Sequence, residues 1–395
     1  MTDHVVITGY GVFTAFGYGA DALRRGVFAG RHRFGPVTRF DTTGFRGTIA
    51  ATHPADPDVG ELRQYPVLRR CAEEALAMAG LAEAPEAPVL VGTQGDHTVL
   101  SRWWRAVVAE EPPEAALPGL AAHLPHQLGE DLRLGHPRLA FQNACVASAD
   151  AVMYGCRLIH SGHTEVAVCG GVYLVDQEFF AKFDSGRAFA RDGRVKPFDR
   201  SRSGLLLGDG AGVVVLESAR HAAARGATPL AAITGWALAA DAYHVVRPHP
   251  EGAGLAAAIS QALGRAGIAP EAIGYVNAHG TGTPANDPAE TAALRRALGA
   301  HATAVPVSST KGSTGHMLEA SGVVELIITM LALRDGQLPP TVGLVEPDPR
   351  CDLDYIPGEA RAARPRRALT VNAGFGGLNS ALVVEVGEEG IGDGE

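Results

Sequence analysis

Ile7-Thr8-Gly9-Tyr10 follows the chain's first apolar run, and nearly the same four residues return as Ile233-Thr234-Gly235-Trp236. Each copy heads a stretch that closes on a similar apolar strand. The first closes on Gly212-Val-Val-Val-Leu216-Glu217, the second on Ala381-Leu-Val-Val384-Glu385. A repeat at so long a period argues for duplication of a whole α/β unit of about 200 residues, not a solenoid of short repeats. Between these landmarks short β-branched runs alternate with Ala/Leu-rich stretches, which indicates an α/β architecture. Strands are expected at 4–8, 88–92, 165–170, 211–217, 229–234, 273–277, 304–309, 368–372 and 381–386. Helices are expected at 67–80, 147–160, 253–266, 287–297 and 317–334. The junction falls in the Ala-rich segment Ser218–Thr228, so that one half spans residues 1–225 and the other 226–395. The last residues, Gly387 to Glu395, are Gly- and acid-rich and expected to fray.

With 395 residues the chain can bury on the order of three-quarters of its unfolded surface. Hydrophobic residues at 46% against 19% charged ones describe a compact globule. The net charge of −9 and the lack of a Lys/Arg-rich block argue against nucleic acid as a partner. A local cluster, Arg63, Arg69 and Arg70, reads either as a solvated helix face or as a patch that steers an acidic partner. Five widely spread cysteines without a CxxC pair form neither a disulfide framework nor a zinc site, and suit a reducing cytoplasm. The first residues lack the basic and apolar regions of a signal peptide. The apolar segment Val323–Leu333 carries Glu325 and is too short to span a bilayer, so no membrane role is expected and it reads as a buried helix.

Around position 145 the chain reads Phe-Gln-Asn143-Ala-Cys145-Val-Ala-Ser. Asn143 is a good N-cap residue and a run of small residues follows, so a helix is expected to start at or beside Cys145. A thiol there sees the positive end of the helix dipole and free N–H groups, which favour thiolate. The plain alternative is a small buried hydrophobe, the reading kept for Cys71, Cys156 and Cys169. Two downstream motifs separate Cys145 from the others.

In Asn277-Ala-His279-Gly-Thr281-Gly-Thr283-Pro-Ala-Asn-Asp287-Pro-Ala-Glu290 a strand ends and His279 projects from its tip. In Ser308-Ser-Thr-Lys311-Gly-Ser-Thr-Gly315-His316 a second strand delivers a second histidine to a loop. Loops at strand ends are where functional side chains concentrate. Lys311 and Glu325 are read as a pair that holds this loop. His123 and His126 are spaced HxxH but lack an evident third ligand, so no metal site is expected. The glycine-rich Asn372-Ala-Gly374-Phe375-Gly376-Gly377-Leu-Asn379 is either a simple hairpin or a close backbone approach whose N–H groups meet a developing oxyanion.

Together these motifs resemble the β-ketoacyl-[acyl carrier protein] synthases, the elongating ketosynthases of fatty acid and polyketide assembly. The likeness runs from Val5-Val-Ile-Thr-Gly-Tyr-Gly to Val384 and takes in Lys196-Pro-Phe-Asp-Arg-Ser-Arg202, Gly208-Asp-Gly-Ala-Gly212 and Asp241-Ala-Tyr-His244. The resemblance implies the thiolase-like fold, two duplicated halves in five α-β-α-β-α layers, dimeric. It implies that Cys145 accepts the acyl group, that His279 and His316 stabilise the enolate left by decarboxylation of a malonyl thioester, and that the Cys145 and Phe375 N–H groups form an oxyanion hole. It also implies that Lys311 and Glu325 order the second loop and that Thr281 and Thr283 touch a phosphopantetheine arm. Phe183 and Phe375 would gate entry, with Gly376 beside the substrate and Gln94 on the floor of the acyl tunnel. No cofactor is implied beyond the phosphopantetheine of an acyl carrier protein. The implied partners are that carrier and either a second copy or a chain-length-factor-like subunit.

Asn143, Val146 and Val246 depart from the family's usual residues, and the Gly92-Thr-Gln94-Gly-Asp96-His97 loop is unusually polar. These departures point to specialised polyketide or fatty acid chemistry. An acyltransferase that loads Cys145 without condensing, and a non-condensing partner subunit, are the competing readings. A thiolase is expected to carry a second cysteine in the glycine loop, which has none, and initiating synthases to carry Asn where His316 stands.

Overall fold

The computed structural model describes residues 4–54, 62–81, 83–113 and 115–387; all but the first residue of the tail expected to fray lies outside them. The first half contributes strands β1 (Val5–Thr14), β2 (Val89–Gly92), β3 (Arg138–Phe141), β4 (Val166–Tyr173) and β5 (Gly210–Ser218). The second contributes β6 (Ala231–Ala240), β7 (Tyr275–Asn277), β8 (Val307–Ser308), β9 (Arg367–Gly374) and β10 (Leu378–Glu385). Their spatial orders are β3-β2-β4-β5-β1 and β8-β7-β9-β10-β6, the same connection pattern written twice. In each array the second strand runs parallel to the third and fourth, while the fifth is antiparallel to the first and fourth. The arrays join where Val5–Ile7 of β1 pairs with Ala231–Ile233 of β6.

The repeated four residues have a local job in both halves. The β1–β5 register skips Thr8, and the β6–β10 register skips Thr234 in the same way. Each skip is a bulge that bends the strand. The glycine after it lets a helix lie directly on the strand: a Cβ on Gly9 would stand 2.1 Å from the Ala75 carbonyl oxygen, and one on Gly235 2.1 Å from that of Ala262.

Those two helices are α1 (Gln64–Ala79) and α5 (Ala253–Ala266); the other main ones are α2 (His97–Val108), α3 (Ala147–His160), α4 (Gln177–Ser185), α6 (Asn286–Leu298) and α7 (Ser321–Asp335). Helix α1 covers the outer face of the first array, while α5, beside α6, covers the outer face of the second. Helices α3 and α7 pack against each other between the arrays. This is the five-layer thiolase-like arrangement. Strands β4 and β5 are buried at every position, because helices cover both of their faces. Helix α7 is buried from Ser321 through Leu333, as its apolar composition on all sides requires. Where α3 and α7 meet, a Cβ on Gly322 would lie 2.6 Å from the Ala149 nitrogen, and the Val323 N–H donates to Ser148 Oγ at 3.0 Å.

The differences from expectation have local causes. Strand β1 continues to Thr14 because its glycines serve helix contact and do not break it. The strand expected at 304–309 is only Val307–Ser308, and the helix expected at 317–334 begins as a 3-10 turn, Leu318–Ala320. Strand β3 lacks any β-branched residue and is held by pairing with β2, so it gave no strand signal. Helices α2 and α4 were likewise not anticipated.

Candidate active site

Cys145 and His316 occupy corresponding places in the two arrays. Each follows the third strand of its half and precedes one of the two central helices. The close approach of α3 and α7 at Ala149 and Gly322 therefore draws the two loops together. His316 Nε2 lies 3.1 Å from Cys145 Sγ. The Leu318 N–H donates to His316 Nδ1 at 3.3 Å, and Ser321 Oγ lies 3.1 Å from the same nitrogen. With Nδ1 accepting, the ring proton sits on Nε2 and faces the sulfur. The backbone N–H groups of Phe375 and of Cys145 itself also reach the sulfur.

His279 follows β7, the neighbour of β8. Its backbone N–H donates to Glu290 Oε1 at 2.6 Å, and that of Gly280 to Glu290 Oε2 at 2.7 Å, so a carboxylate on α6 fixes the loop. The His279 and His316 ring centroids are 5.3 Å apart with planes at 82°. Lys311 Nζ pairs with Glu325 Oε1 at 2.5 Å, and Asn372 Nδ2 donates to Glu325 Oε2 at 2.6 Å, all buried. The expected pairing of Lys311 with Glu325 is thus present. Burial, with the Lys311 charge adding, holds both imidazoles well below their ordinary pKa and therefore neutral.

The thiolate expectation needs correction. Burial pushes the Cys145 thiol up to about 12, with the Glu319 charge adding, and the Lys311 charge and nearby N–H groups only partly offset it. The expected Asn143 cap is absent too: the α-helix begins at Ala147, and Asn143 Nδ2 donates to Asp150 Oδ2 at 2.8 Å. Cys145 rides a 3-10 turn, Ala144–Val146, whose first residue takes φ 57°, a strained value for a side-chain-bearing residue.

A cavity of about 530 Å³ opens onto this centre and is lined by Cys145, His279, His316, Thr281, Thr283, Phe183 and Phe375, among others. The Thr281 and Thr283 hydroxyls lie 2.9 Å apart. Phe375 stands half-exposed between β9 and β10 and stacks on Phe183, centroids 5.7 Å apart and planes at 20°. Lys311 and Glu325 stand behind the cavity lining, and two of the residues expected to meet the substrate, Gln94 and Gly376, are not part of it either. Gln94 Nε2 donates to the Gln142 carbonyl at 3.4 Å, and the Gly376 N–H is turned to the Val245 carbonyl at 2.7 Å.

Asp241 and Asn379 were not anticipated as site residues, yet both line the cavity. Asp241 accepts from the N–H groups of His249 and Gly254 and from Asn379 Nδ2, tying the mouth loop to the glycine-rich hairpin. Asp241 heads a motif noticed in the sequence, but its partners lie on distant segments. Among the described residues no group of three or more His, Cys, Asp or Glu is placed to hold a metal ion. None of their helices is long and apolar enough to cross a membrane. Arg69 and Arg70 each pair with an acid four residues on, the pattern of a charged helix face.

Comparison with known proteins finds relatives in sequence and in fold. The chain is 37% identical, over 96% of its length and 97% of the relative's, to the 3-oxoacyl-[acyl-carrier-protein] synthase 2 of Synechocystis sp.. It is 36% identical to the tetracenomycin polyketide synthase ketoacyl synthase alpha subunit of Streptomyces glaucescens, over 97% and 98%. Among solved structures, the ishigamide ketosynthase/chain length factor superposes with a TM-score of 0.89 at 32% identity, covering 98% of this chain and all of that one. Residues 2–222 match the model of the β-ketoacyl synthase N-terminal domain and residues 230–345 that of its C-terminal domain. With the cysteine and both histidines on the matched segments, the chain belongs to the β-ketoacyl synthase family.

Proposed function

We propose that this chain elongates acyl groups by decarboxylative Claisen condensation, with Cys145 as the acyl acceptor and malonyl-acyl carrier protein as the extender. The observation that carries the reading is a thiol 3.1 Å from one imidazole, with a second neutral imidazole beside it, at the base of an open cavity.

In the first step the Cys145 sulfur attacks the carbonyl of an acyl thioester presented through the cavity. The tetrahedral oxyanion is held by the N–H groups of Cys145 and Phe375. Collapse breaks the carbon–sulfur bond to the carrier arm, and the proton lost from Cys145 ends on the departing thiol. A neutral resting thiol suits this exchange, since one thioester is converted into another without net charge.

In the second step the malonyl thioester carbonyl takes hydrogen bonds from His279 and His316. Carbon dioxide leaves, its bonding electrons pass to the α-carbon, and negative charge grows on the thioester oxygen. Preorganised neutral donors stabilise that charge. The enolate carbon then attacks the Cys145 thioester, and collapse expels the Cys145 thiolate and yields a 3-oxoacyl chain on the carrier. Lys311 and Glu325 hold the His316 loop, Thr281 and Thr283 receive the carrier arm, and Phe183 with Phe375 gates the entrance. Gln94 and Gly376 are assigned to the acyl tunnel floor and the arm's path.

The specialised setting proposed is type II polyketide or related fatty acid assembly in the cytoplasm. The division 1–225 and 226–395 separates a half carrying the nucleophile from one carrying the histidines. The proposed partners are an acyl carrier protein and either a second copy or a chain-length-factor-like subunit, and no other cofactor is proposed. An acyltransferase that stops after loading needs only the sulfur and leaves two neutral imidazoles without a role. Incubation with acyl-loaded carrier protein followed by intact-mass measurement tests the reading. One acyl adduct is expected on the wild type and none on Cys145→Ala; an adduct that persists in the variant refutes the assignment.

A further inference from the structure

Beside Cys145 lies a buried group of polar atoms that condensation does not use. Glu319 sits three residues after His316 on the turn Leu318–Ala320, which packs on the Cys145 turn and on β4. A Cβ on Gly171 would stand 2.9 Å from the Glu319 carbonyl oxygen, so the turn lies directly over β4. Tyr173, two residues further along β4, projects to the same side as position 171. Glu319, Tyr173 and Asp176 are 3%, 2% and 5% exposed. Glu319 Oε2, Tyr173 Oη and Asp176 Oδ2 have no hydrogen bond of ordinary geometry. The other Asp176 oxygen accepts from the Phe179 N–H at 2.9 Å, the Glu319 carboxyl is also approached by the Gln94 side chain, and the Tyr173 hydroxyl by the Asp176 backbone N–H.

Buried polar atoms are nearly always partnered, and leaving one unpaired is costly. Glu319 lies beside the nucleophile and Tyr173 and Asp176 lie beside Glu319, so the under-satisfied oxygens of this group are open to a partner that arrives with the substrate. Their mutual influence fits this placement. Burial pushes the Glu319 carboxyl up to about 8, with the Asp176 charge adding, and the Glu319 charge in turn raises the Cys145 thiol. The Tyr173 hydroxyl is raised by burial and then by the charges of Asp176 and Glu319. A hydroxyl group suits such a setting: it donates to a carboxylate, accepts from a carboxylic acid or a phenol, and brings no net charge to desolvate.

We propose that Glu319 is a specificity-determining residue which, with Tyr173 and Asp176, receives a hydroxyl borne near the thioester carbonyl of the acyl group on Cys145. The substrate class is therefore 3-hydroxyacyl chains in preference to saturated ones. This rests on the reading of Cys145 as acyl acceptor. A plain methylene at that place leaves Glu319 Oε2 and Asp176 Oδ2 unsatisfied, and sites built to bind a hydroxyl discriminate strongly against analogues lacking it.

The test is competition between 3-hydroxybutyryl- and butyryl-carrier protein for Cys145, read by mass spectrometry of the adducts under initial-rate conditions. The wild type is expected to favour the hydroxy chain roughly ten- to hundred-fold. Glu319→Leu is expected to bring the ratio to about one. Glu319→Gln, which keeps volume and hydrogen-bonding capacity, retains part of the preference and guards against misfolding as the cause. A wild-type ratio near one, or a preference that survives Glu319→Leu, overturns the proposal and leaves the role of Cys145 standing. Absence of any adduct on Cys145 overturns both.

Discussion

Lys311 and Glu325 form an ion pair sealed from solvent, Nζ to Oε1 at 2.5 Å, with the second carboxylate oxygen taken by Asn372. The pair ties the start of the His316 loop to the core of the buried helix α7. Lys311 also faces both imidazoles, and its charge helps to keep them neutral. Removing one partner leaves an uncompensated buried charge, whereas removing both need not. Lys311→Met and Glu325→Leu are each expected to lower unfolding stability by about 3–5 kcal/mol, and the double variant by clearly less than the sum. Urea denaturation of the four proteins checks this, and additive losses would show that the two side chains are not coupled.

His316→Ala removes one of the two donors proposed to face the developing enolate oxygen. The variant is expected to accept an acyl group on Cys145 but to release carbon dioxide from malonyl-carrier protein about 10²–10³ times more slowly. The measurement is labelled carbon dioxide trapping alongside intact mass. Normal release would remove His316 from decarboxylation.

Gly322→Val tests the contact that assembles the site. The added side chain must displace Ala149, because the Cβ alone would come within 2.6 Å of its nitrogen. A loss of about 1–3 kcal/mol in stability is expected from overpacking. The loss of condensation should be larger than that of a comparable core variant far from the site, since the shift separates Cys145 from His316. Equal losses in both variants would argue against this route.

A pH experiment separates Glu319 from the histidines. The Glu319 carboxyl is raised from about 4.5 to about 8 in the folded protein, so the folded state holds the proton more tightly. Its contribution to stability is complete below the unfolded pKa and is lost as pH rises toward the folded one. Glu319→Gln is therefore expected to raise the melting temperature more at pH 8 than at pH 5. A gain that is the same at both values would mean that Glu319 does not titrate over this range.

The histidines run the other way. Both are depressed in the folded state, so the unfolded chain binds the extra protons, and stability falls as pH drops through the ordinary histidine pKa near 6.5. Decarboxylation, which needs the neutral rings, is expected to keep its rate from pH 8 down to about 6. A rate that titrates away near 6.5 would show that one of the rings charges freely.

Much of this was readable from the chain. The echo of Ile7–Tyr10 in Ile233–Trp236 announced the duplication, because a bulge followed by a helix-facing glycine imposes the same short sequence wherever it is built. His279 and His316 stood out because each sits where a strand gives way to a loop, and Cys145 because it heads a run of small residues that reads as a helix start; local pattern identifies both kinds of place. Lys311 and Glu325 were legible as a pair because an isolated acid in an apolar helix demands a cation.

What stayed hidden depends on segments distant in the chain. Strand β3 exists because β2 pairs with it, so Arg138–Phe141 carried no local signal. The anchoring by Asp241 joins partners from separate loops. The protonation state of Cys145 was misjudged because a motif shows the helix end but not the depth of burial, and burial outweighs the dipole here. Glu319 has no distinguishing local pattern, and only packing of its turn against Gly171 and the Cys145 turn reveals a carboxyl with one unsatisfied oxygen beside the nucleophile. Local sequence therefore determined which side chains are proposed for the chemistry and the repeated unit that carries them. Tertiary structure decided their distances, their protonation and their unpaired neighbours, because those follow from desolvation and long-range contacts that no short stretch of chain encodes.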